Sequence, residues 1–473
     1  LSTRLIMSAL MQSVSGIRGV VGATFTPSVI TRSVAAFGAL QKRHWKEEGR
    51  VVFVGRDSRV SGPWVEQIAI GVLVAQGYHV KAVGVVPTPT VQLLVIKEKA
   101  VGGLIITSSH NPVEWNGLKF VDHDGLFLGP DYCARLFALA LEAETLEKSY
   151  AAWNEGGKFE TRSDAIDSHL SSIFALSYVN EDTVKVRKYK VVLDAINGAG
   201  GEIMRKLLER MGCEVVLLNG EPSGIFAHEP EPVPANLGQL SAAVLANSAH
   251  FGIAVDPDVD RCVLIDEHGQ PLGEEYTLAI AVDYFLGHVG KRGPVVKNLS
   301  TSRVIDDIAA KYGCEVTATP VGEIHVANEM VRLNAVIGGE GNGGVMLPDV
   351  HIGRDAPVAA ALVLMHLAIN GTSLSGLKSL LPQWEIVKLK TPTTGFSNLP
   401  GVLQTIKEEW KDKGAAITES DGIRIDTADF WVHLRASNTE PIVRVIGESS
   451  DSEKATLRCS DFMERLQQLG RSQ

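Results

Sequence analysis

The chain has 473 residues, 45% of them apolar and 21% charged, which is an ordinary globular composition. It excludes a disordered chain, a coiled coil and a collagen-like fibre, and at roughly 100–200 residues per domain it suggests three or four domains. Lys plus Arg number 45 against 55 for Asp plus Glu, a formal charge of −10, which argues against nucleic-acid or anionic-membrane partners.

The first segment, LSTRLIMSALMQS, makes a poor signal peptide. The chain begins at Leu1, and Met7 or Met11 is the expected natural start. No apolar run reaches the roughly 18 residues that span a bilayer. Cys133, Cys213, Cys262, Cys314 and Cys459 are widely spaced and odd in number, as expected of reduced thiols in the cytoplasm.

One pattern then occurs three times. A short apolar strand opens each copy: Val51–Val54, Val191–Leu193 and Val295–Val296. A helix-like stretch follows and ends at Gly77, Gly212 or Gly313, the usual left-handed cap. A second strand starts directly after each glycine. A third strand follows at Leu104–Ile106, Ile253–Val255 and Ala335–Ile337. Strands alternating with helices predict βα units and a mostly parallel sheet. From about Pro382 the pattern changes: strands near 384–390, 423–425, 431–434 and 442–446, with helices near 403–413 and 453–469, predict an α+β domain with an antiparallel sheet.

Four polar loops carry the chemistry. Thr107-Ser108-Ser109-His110-Asn111-Pro112 places a serine beside a base, the arrangement of an activated nucleophile or of an ordinary serine-rich turn. Asp256, Asp258 and Asp260 alternate in Asp-Pro-Asp-Val-Asp-Arg, so a turning backbone can bring three carboxylates onto one hard cation such as Mg²⁺; a solvated acidic turn is the plain alternative. An EF-hand is excluded, because Arg261 stands where that loop needs glycine. Gly338–Gly344 holds five glycines around Glu340, suited to close approach by a ligand or to a flexible turn. Arg435, Ser437, Asn438 and Thr439 offer a guanidinium fork, hydroxyls and an amide, which suit a phosphate or a hairpin turn. Arg18 and Lys119 are further cations, each readable as a surface charge.

Taken in order, from Ser15-Gly16-Ile17-Arg18-Gly19 to Arg435–Pro441, these loops resemble the α-D-phosphohexomutase family. The resemblance implies an α/β protein of four domains around a central cleft. The first three would share related βα mixed-sheet cores and the last would be an α+β domain with an antiparallel sheet. The expected boundaries are 1–153 with the phosphoserine loop, 154–270 with the metal loop, 271–375 with the sugar loop and 376–473 with the phosphate loop. The implied activity is interconversion of hexose 6-phosphate and hexose 1-phosphate through a phosphoserine and a bisphosphorylated sugar. Ser109 would carry the phosphoryl group and join Asp256, Asp258 and Asp260 as ligands of one Mg²⁺. Arg18, His110, Lys119 and Arg261 would complete the catalytic centre. Glu340 and Asn342 would meet the sugar, and Arg435, Ser437, Asn438 and Thr439 the non-reacting phosphate. Glucose or glucosamine 1,6-bisphosphate would be the activator, sugar phosphates the partners, and the assembly a monomer or homodimer.

Many relatives carry serine and histidine where Asn342 and Gly344 stand here. The sequences around Ser15–Gly19, Thr319–Ile324 and Gly339–Gly344 look most like the phosphoglucosamine mutase branch, whereas Ala436-Ser437-Asn438 is similar to phosphomannomutase/phosphoglucomutase enzymes. Glucosamine phosphate is therefore the expected substrate. A phosphoserine-dependent sugar phosphatase would not need the Arg435 loop, and a non-catalytic sugar-phosphate sensor would be expected to have lost Ser109 or an aspartate.

Overall fold

The computed structural model describes residues 10–45, 49–437 and 442–471. Met7, Asn438 and Thr439, singled out above, lie outside the described residues. Four sheets follow one another along the chain. The first has seven strands in the order Met11–Ser13, Gly16–Val20, Trp115–Val121, Gly102–Ile106, Val51–Arg56, His79–Val85 and Lys158–Thr161. The second runs Cys262–Ile265, Phe251–Val255, Lys190–Asp194, Glu214–Leu218. The third runs Val316–Thr319, Val295–Asn298, Ile337–Glu340, Gly344–Leu347, His351–Arg354.

The threefold pattern is real. In each of these sheets the three expected strands pair in parallel. Gly77, Gly212 and Gly313 adopt φ of +90°, +83° and +69°, the left-handed region that a side chain disfavours. The strands are apolar runs because helices cover them. The third repeat differs from expectation in its limits: its last parallel strand is Ile337–Glu340, so Gly338, Gly339 and Glu340 are strand residues.

Each parallel trio also ends in an antiparallel partner not anticipated from the sequence. Gly102–Ile106 returns as Trp115–Val121, Phe251–Val255 as Cys262–Ile265, and Ile337–Glu340 as Gly344–Leu347. The serine, aspartate and glycine-rich loops are thus three hairpin tips at the carboxyl ends of central strands.

The fourth sheet is wholly antiparallel: Glu385–Pro392, Ile442–Ser449, Phe430–Ala436, Ile423–Asp426, Ala416–Thr418. Helices Leu399–Lys411 and Ser452–Arg471 pack with it around Val402, Ile406, Phe462 and Leu466, a core of its own. The first three units instead share one apolar core, from Phe53 through Leu193 and Ile253 to Val345 and Leu364. Across that shared junction runs a buried polar chain. Thr90 Oγ1 lies 2.9 Å from His169 Nδ1, and Asp355 Oδ2 lies 2.7 Å from His169 Nε2 and 2.9 Å from His351 Nε2. Asp355 Oδ1 also accepts the Val358 amide, capping helix Ala356–Asn370.

Among the described residues no helix is long and apolar enough to cross a membrane. Asp355→Ala removes a helix cap and strands two buried imidazoles, and should cost about 2–4 kcal/mol, read as a lower urea midpoint.

Candidate functional site

Ser109 stands at the first hairpin tip, 2% exposed, with φ of +49°. A non-glycine residue in that region is strained, and the surrounding structure must hold it there. The holder is Arg59, whose side chain is fully buried. Its Nη2 donates to the carbonyls of Ser109 (2.7 Å) and Asn111 (2.6 Å), and its Nη1 to those of Pro112 (2.6 Å) and Trp115 (2.9 Å). Asp57 fixes Arg59 and accepts the Thr107 hydroxyl at 2.6 Å, and Thr107 Oγ1 accepts the Ser109 amide at 2.9 Å. Sequence reasoning missed Arg59. The signal was Gly55-Arg56-Asp57-Ser58-Arg59, charged residues directly after a buried strand.

The Ser109 hydroxyl donates to Asp256 Oδ2 at 3.1 Å and lies 3.4 Å from His110 Nδ1. Asp256, Asp258 and Asp260 come together as expected, through a turn in which Val259 adopts φ of +62° and Asp256 Oδ1 accepts the amides of Asp260 and Arg261. One ligand atom from each carboxylate lies within 4.8 Å of the others, and all three residues are fully buried. Burial and the two neighbouring carboxylates push Asp256 well above the usual carboxylate range. Asp258 suffers burial too, yet the Lys119 ammonium at 2.6 Å and the Thr88 hydroxyl at 2.7 Å hold it far below.

Among the described residues, Asp258 Oδ1 and Asp260 Oδ1 are buried without a hydrogen-bond partner. Two carboxylate oxygens without hydrogen bonds, one of them 3.8 Å from Arg261 Nε, stand beside a third carboxylate and make an all-oxygen donor set, the chemistry a hard divalent cation requires. The residues present therefore fit a metal.

Four cations surround this centre. Lys119 also contacts Asp260, at 3.3 Å; burial opposes its charge, but Asp258 and Asp260 raise its pKa. Arg18 Nη1 donates to Asn111 Oδ1 at 3.0 Å, and burial lowers its pKa to about 10. Arg261 Nη2 lies 3.2 Å from His110 Nδ1. Burial, then Arg261 and Arg18, hold His110 well below its usual range, so it is neutral. The fourth, Arg354, was missed because it ends an unremarkable strand; it contacts Asp260, Glu340 and Glu323.

At the third hairpin tip, Glu340 Oε1 accepts Asn298 Nδ2 (2.7 Å) and the Gly322 amide (3.1 Å). Its Oε2 accepts Arg354 Nη1 (2.8 Å) and Asn342 Nδ2 (3.4 Å). Burial opposes its charge, yet these partners keep its pKa low. In the fourth sheet, Arg435 Nε donates to Asp421 Oδ2 at 2.7 Å. Arg444 is paired directly with Arg435 on one side and Lys390 on the other, so three cations share one face of adjacent strands. Like charges in direct cross-strand pairs repel, and Asp421 offsets part of that repulsion at Arg435. Lys390 and Arg444 were also missed from sequence; alternation along their strands was the available signal.

These groups line one cavity of about 820 Å³: Ser109 and His110 from the first unit, Arg261 from the second, Glu340 from the third, Arg435 and Ser437 from the fourth. Lys388 Nζ reaches the Gly341 carbonyl at 3.1 Å, joining the fourth unit to the glycine-rich tip. Beneath that tip Glu275 is buried, and burial lifts its carboxyl to about 7 despite Lys388 at 3.3 Å. A carboxyl whose folded pKa exceeds its unfolded value binds more protons in the fold. Stability therefore falls as pH rises from about 4.5 to 7. Glu275→Gln should flatten that fall, and above pH 7 should gain about 1–3 kcal/mol relative to the parent, read from unfolding midpoints across pH.

Known proteins share this arrangement. The chain matches the family descriptions "Phosphoglucomutase/phosphomannomutase, alpha/beta/alpha domain I" over residues 10–147, domain II over 167–269, domain III over 273–384 and the C-terminal domain over 387–465. A Thermococcus kodakarensis protein named phosphoglucomutase/phosphomannomutase is 37% identical, covering 93% of this chain and 94% of its own. A Methanopyrus kandleri relative bearing a phosphoglucosamine mutase name is 35% identical over 95% of this chain and 96% of its own. The crystal structure of a phosphoglucomutase/phosphomannomutase family protein from Burkholderia thailandensis has a TM-score of 0.83 and 26% identity, covering 98% of both chains. Four matched domains in order, on this fold and around this cavity, make the chain a member of the phosphoglucomutase/phosphomannomutase family of phosphohexose mutases, isomerases that act by phosphoryl transfer.

Proposed function

We propose that the chain interconverts hexose 6-phosphate and hexose 1-phosphate, glucosamine phosphate above all, with Ser109 as the phosphoryl carrier. The observation that carries this reading is the Ser109 hydroxyl 3.1 Å from an aspartate of the buried triad, in the same cavity as a second, separate cationic face. A phosphatase needs one phosphate grip; a mutase that turns its substrate around needs two. A phosphoserine carries about −1.5 to −2 charge, and a sugar phosphate a similar amount, so their approach demands concentrated positive charge.

In this reading Asp256, Asp258 and Asp260 hold one Mg²⁺ with a phosphoserine oxygen. The ion, when bound, neutralises charge on the transferring group. Lys119, Arg18 and Arg261 supply the remaining positive charge. Phosphoryl transfer depends chiefly on such positioning and electrostatics. His110, 3.4 Å from the Ser109 hydroxyl, and Lys119, beside the aspartates, are the groups placed to move the protons of transfer. Glu340 and Asn342 meet sugar hydroxyls, and Arg435, Ser437, Asn438 and Thr439, with Arg444 and Lys390, grip the phosphate that is not reacting. The sugar first takes the phosphoryl group from Ser109, turns as a 1,6-bisphosphate, and returns its other phosphate; free glucose or glucosamine 1,6-bisphosphate thus primes the serine. Closing the fourth domain, which has its own core and polar contacts to the third, excludes water from the phosphoserine. Five unpaired cysteines suit a reducing cytoplasm.

The Methanopyrus relative's name supports glucosamine phosphate, and the Thermococcus relative's name supports a second reading, glucose and mannose phosphates. A coupled assay over all three sugars separates them by kcat/KM. Ser109→Ala should lower kcat by at least ~1000-fold with an unchanged circular dichroism spectrum; near-parent turnover contradicts the assignment. Arg435→Lys loses the planar fork and should raise KM about tenfold or more. Chelation should stop turnover, and Mg²⁺ should restore it.

A further inference from the structure

Arg354 ends the strand His351–Arg354 and is 8% exposed. Its three guanidinium nitrogens go to three carboxylates: Nη2 to Asp260 Oδ2 at 2.6 Å, Nη1 to Glu340 Oε2 at 2.8 Å, and Nε to Glu323 Oε2 at 3.1 Å. Two of these carboxylates belong to different hairpin tips. By taking Oδ2 of Asp260, the guanidinium leaves Oδ1 without a hydrogen bond among the described residues, with Arg261 Nε 3.8 Å away. By taking one oxygen of Glu340, it occupies a position a sugar hydroxyl would otherwise fill.

The glycine at 344 belongs to the same device. A Cβ built there would fall 2.3 Å from Arg354 Cδ and 2.9 Å from its Cγ. The bare backbone lets the arginine stem lie across the tip and reach the aspartate loop. Any side chain at 344 would therefore crowd the arginine stem.

We propose that Arg354 is a positioning residue that couples the cation loop to the sugar loop, so that filling one alters the affinity of the other. This rests on the function proposed above. With a divalent cation in the triad, Asp260 would hold Nη2 less tightly, and the guanidinium would rest more on Glu340 and Glu323. A sugar hydroxyl donating to Glu340 competes for Nη1, and acts on Asp260 through the same rigid plane. Such coupling is reciprocal by thermodynamic necessity, and its usual size is about 5–150-fold in affinity. Lysine cannot reproduce it, since a point charge does not bridge three carboxylates in fixed directions.

The test uses the full chain carrying Ser109→Ala, which binds without transfer. Calorimetry gives the dissociation constant of glucosamine 6-phosphate with and without saturating Mn²⁺, and that of Mn²⁺ with and without the sugar phosphate. With Arg354 present, the two ratios should be equal and differ from one by about fivefold or more. In Arg354→Met and Arg354→Lys the ratios should collapse towards one while both ligands still bind. Gly344→Ala, which keeps every charge but displaces the arginine stem, should shrink them as well and serves if the arginine variants do not fold. A ratio of one in the parent, or a ratio unchanged in the variants, overturns the coupling. Hexose phosphate turnover by the unmodified chain is measured separately; its absence overturns the proposed function instead.

Discussion

Three carboxylates crowded into one buried turn set the terms for everything around them. Asp256, Asp258 and Asp260 have no access to water, and two of their oxygens have no hydrogen-bond partner among the described residues. Buried charge is tolerated where countercharge is at hand. Lys119 arrives from the first unit, Arg354 from the third, and Arg261 from the turn itself. The cost of the triad is thus offset in part by charges from other units. The same crowding gives an oxygen-donor set that fits a divalent ion, with Ser109 3.1 Å from one of its carboxylates.

The division of the core follows from that requirement. The serine, the aspartates and Glu340 must keep fixed distances, and they sit on three units welded by one apolar core and by the Thr90–His169–Asp355–His351 chain. The cationic face of the fourth sheet stands on a separate core. Its contacts to the third unit include polar ones: Arg303 to Asp426, Ser300 to His433, Lys388 to Gly341. Polar contacts exchange readily with water, whereas a shared apolar core does not. The architecture separates the part that aligns atoms from the part suited to closing over a ligand.

Much of this was legible in the residues. Glycines after each helix, apolar runs before them and polar loops behind the third strands gave the three repeats and the four loop positions. The aspartates announced their convergence by spacing. What stayed hidden was whatever depends on pairing between distant segments. The antiparallel return strands were not anticipated: Trp115–Val121 mixes glycine and polar residues without clean alternation, and Gly344–Leu347 is only four residues long. Arg59 and Arg354 were invisible as functional groups, since a buried arginine is recognised by the carbonyls and carboxylates it finds in three dimensions. Gly338–Glu340 looked like loop for the opposite reason: glycine suggests a turn, and sheet pairing overrode that preference.

The central claim is that the Ser109 oxygen carries the phosphoryl group between substrate and product. Incubation of the dephosphorylated chain with glucose 1,6-bisphosphate carrying ³²P, followed by proteolysis and mass spectrometry, tests it directly. Label should appear on the peptide containing Ser109, at that side chain, and return to added hexose monophosphate. Label elsewhere, or turnover without any labelled protein, would contradict it.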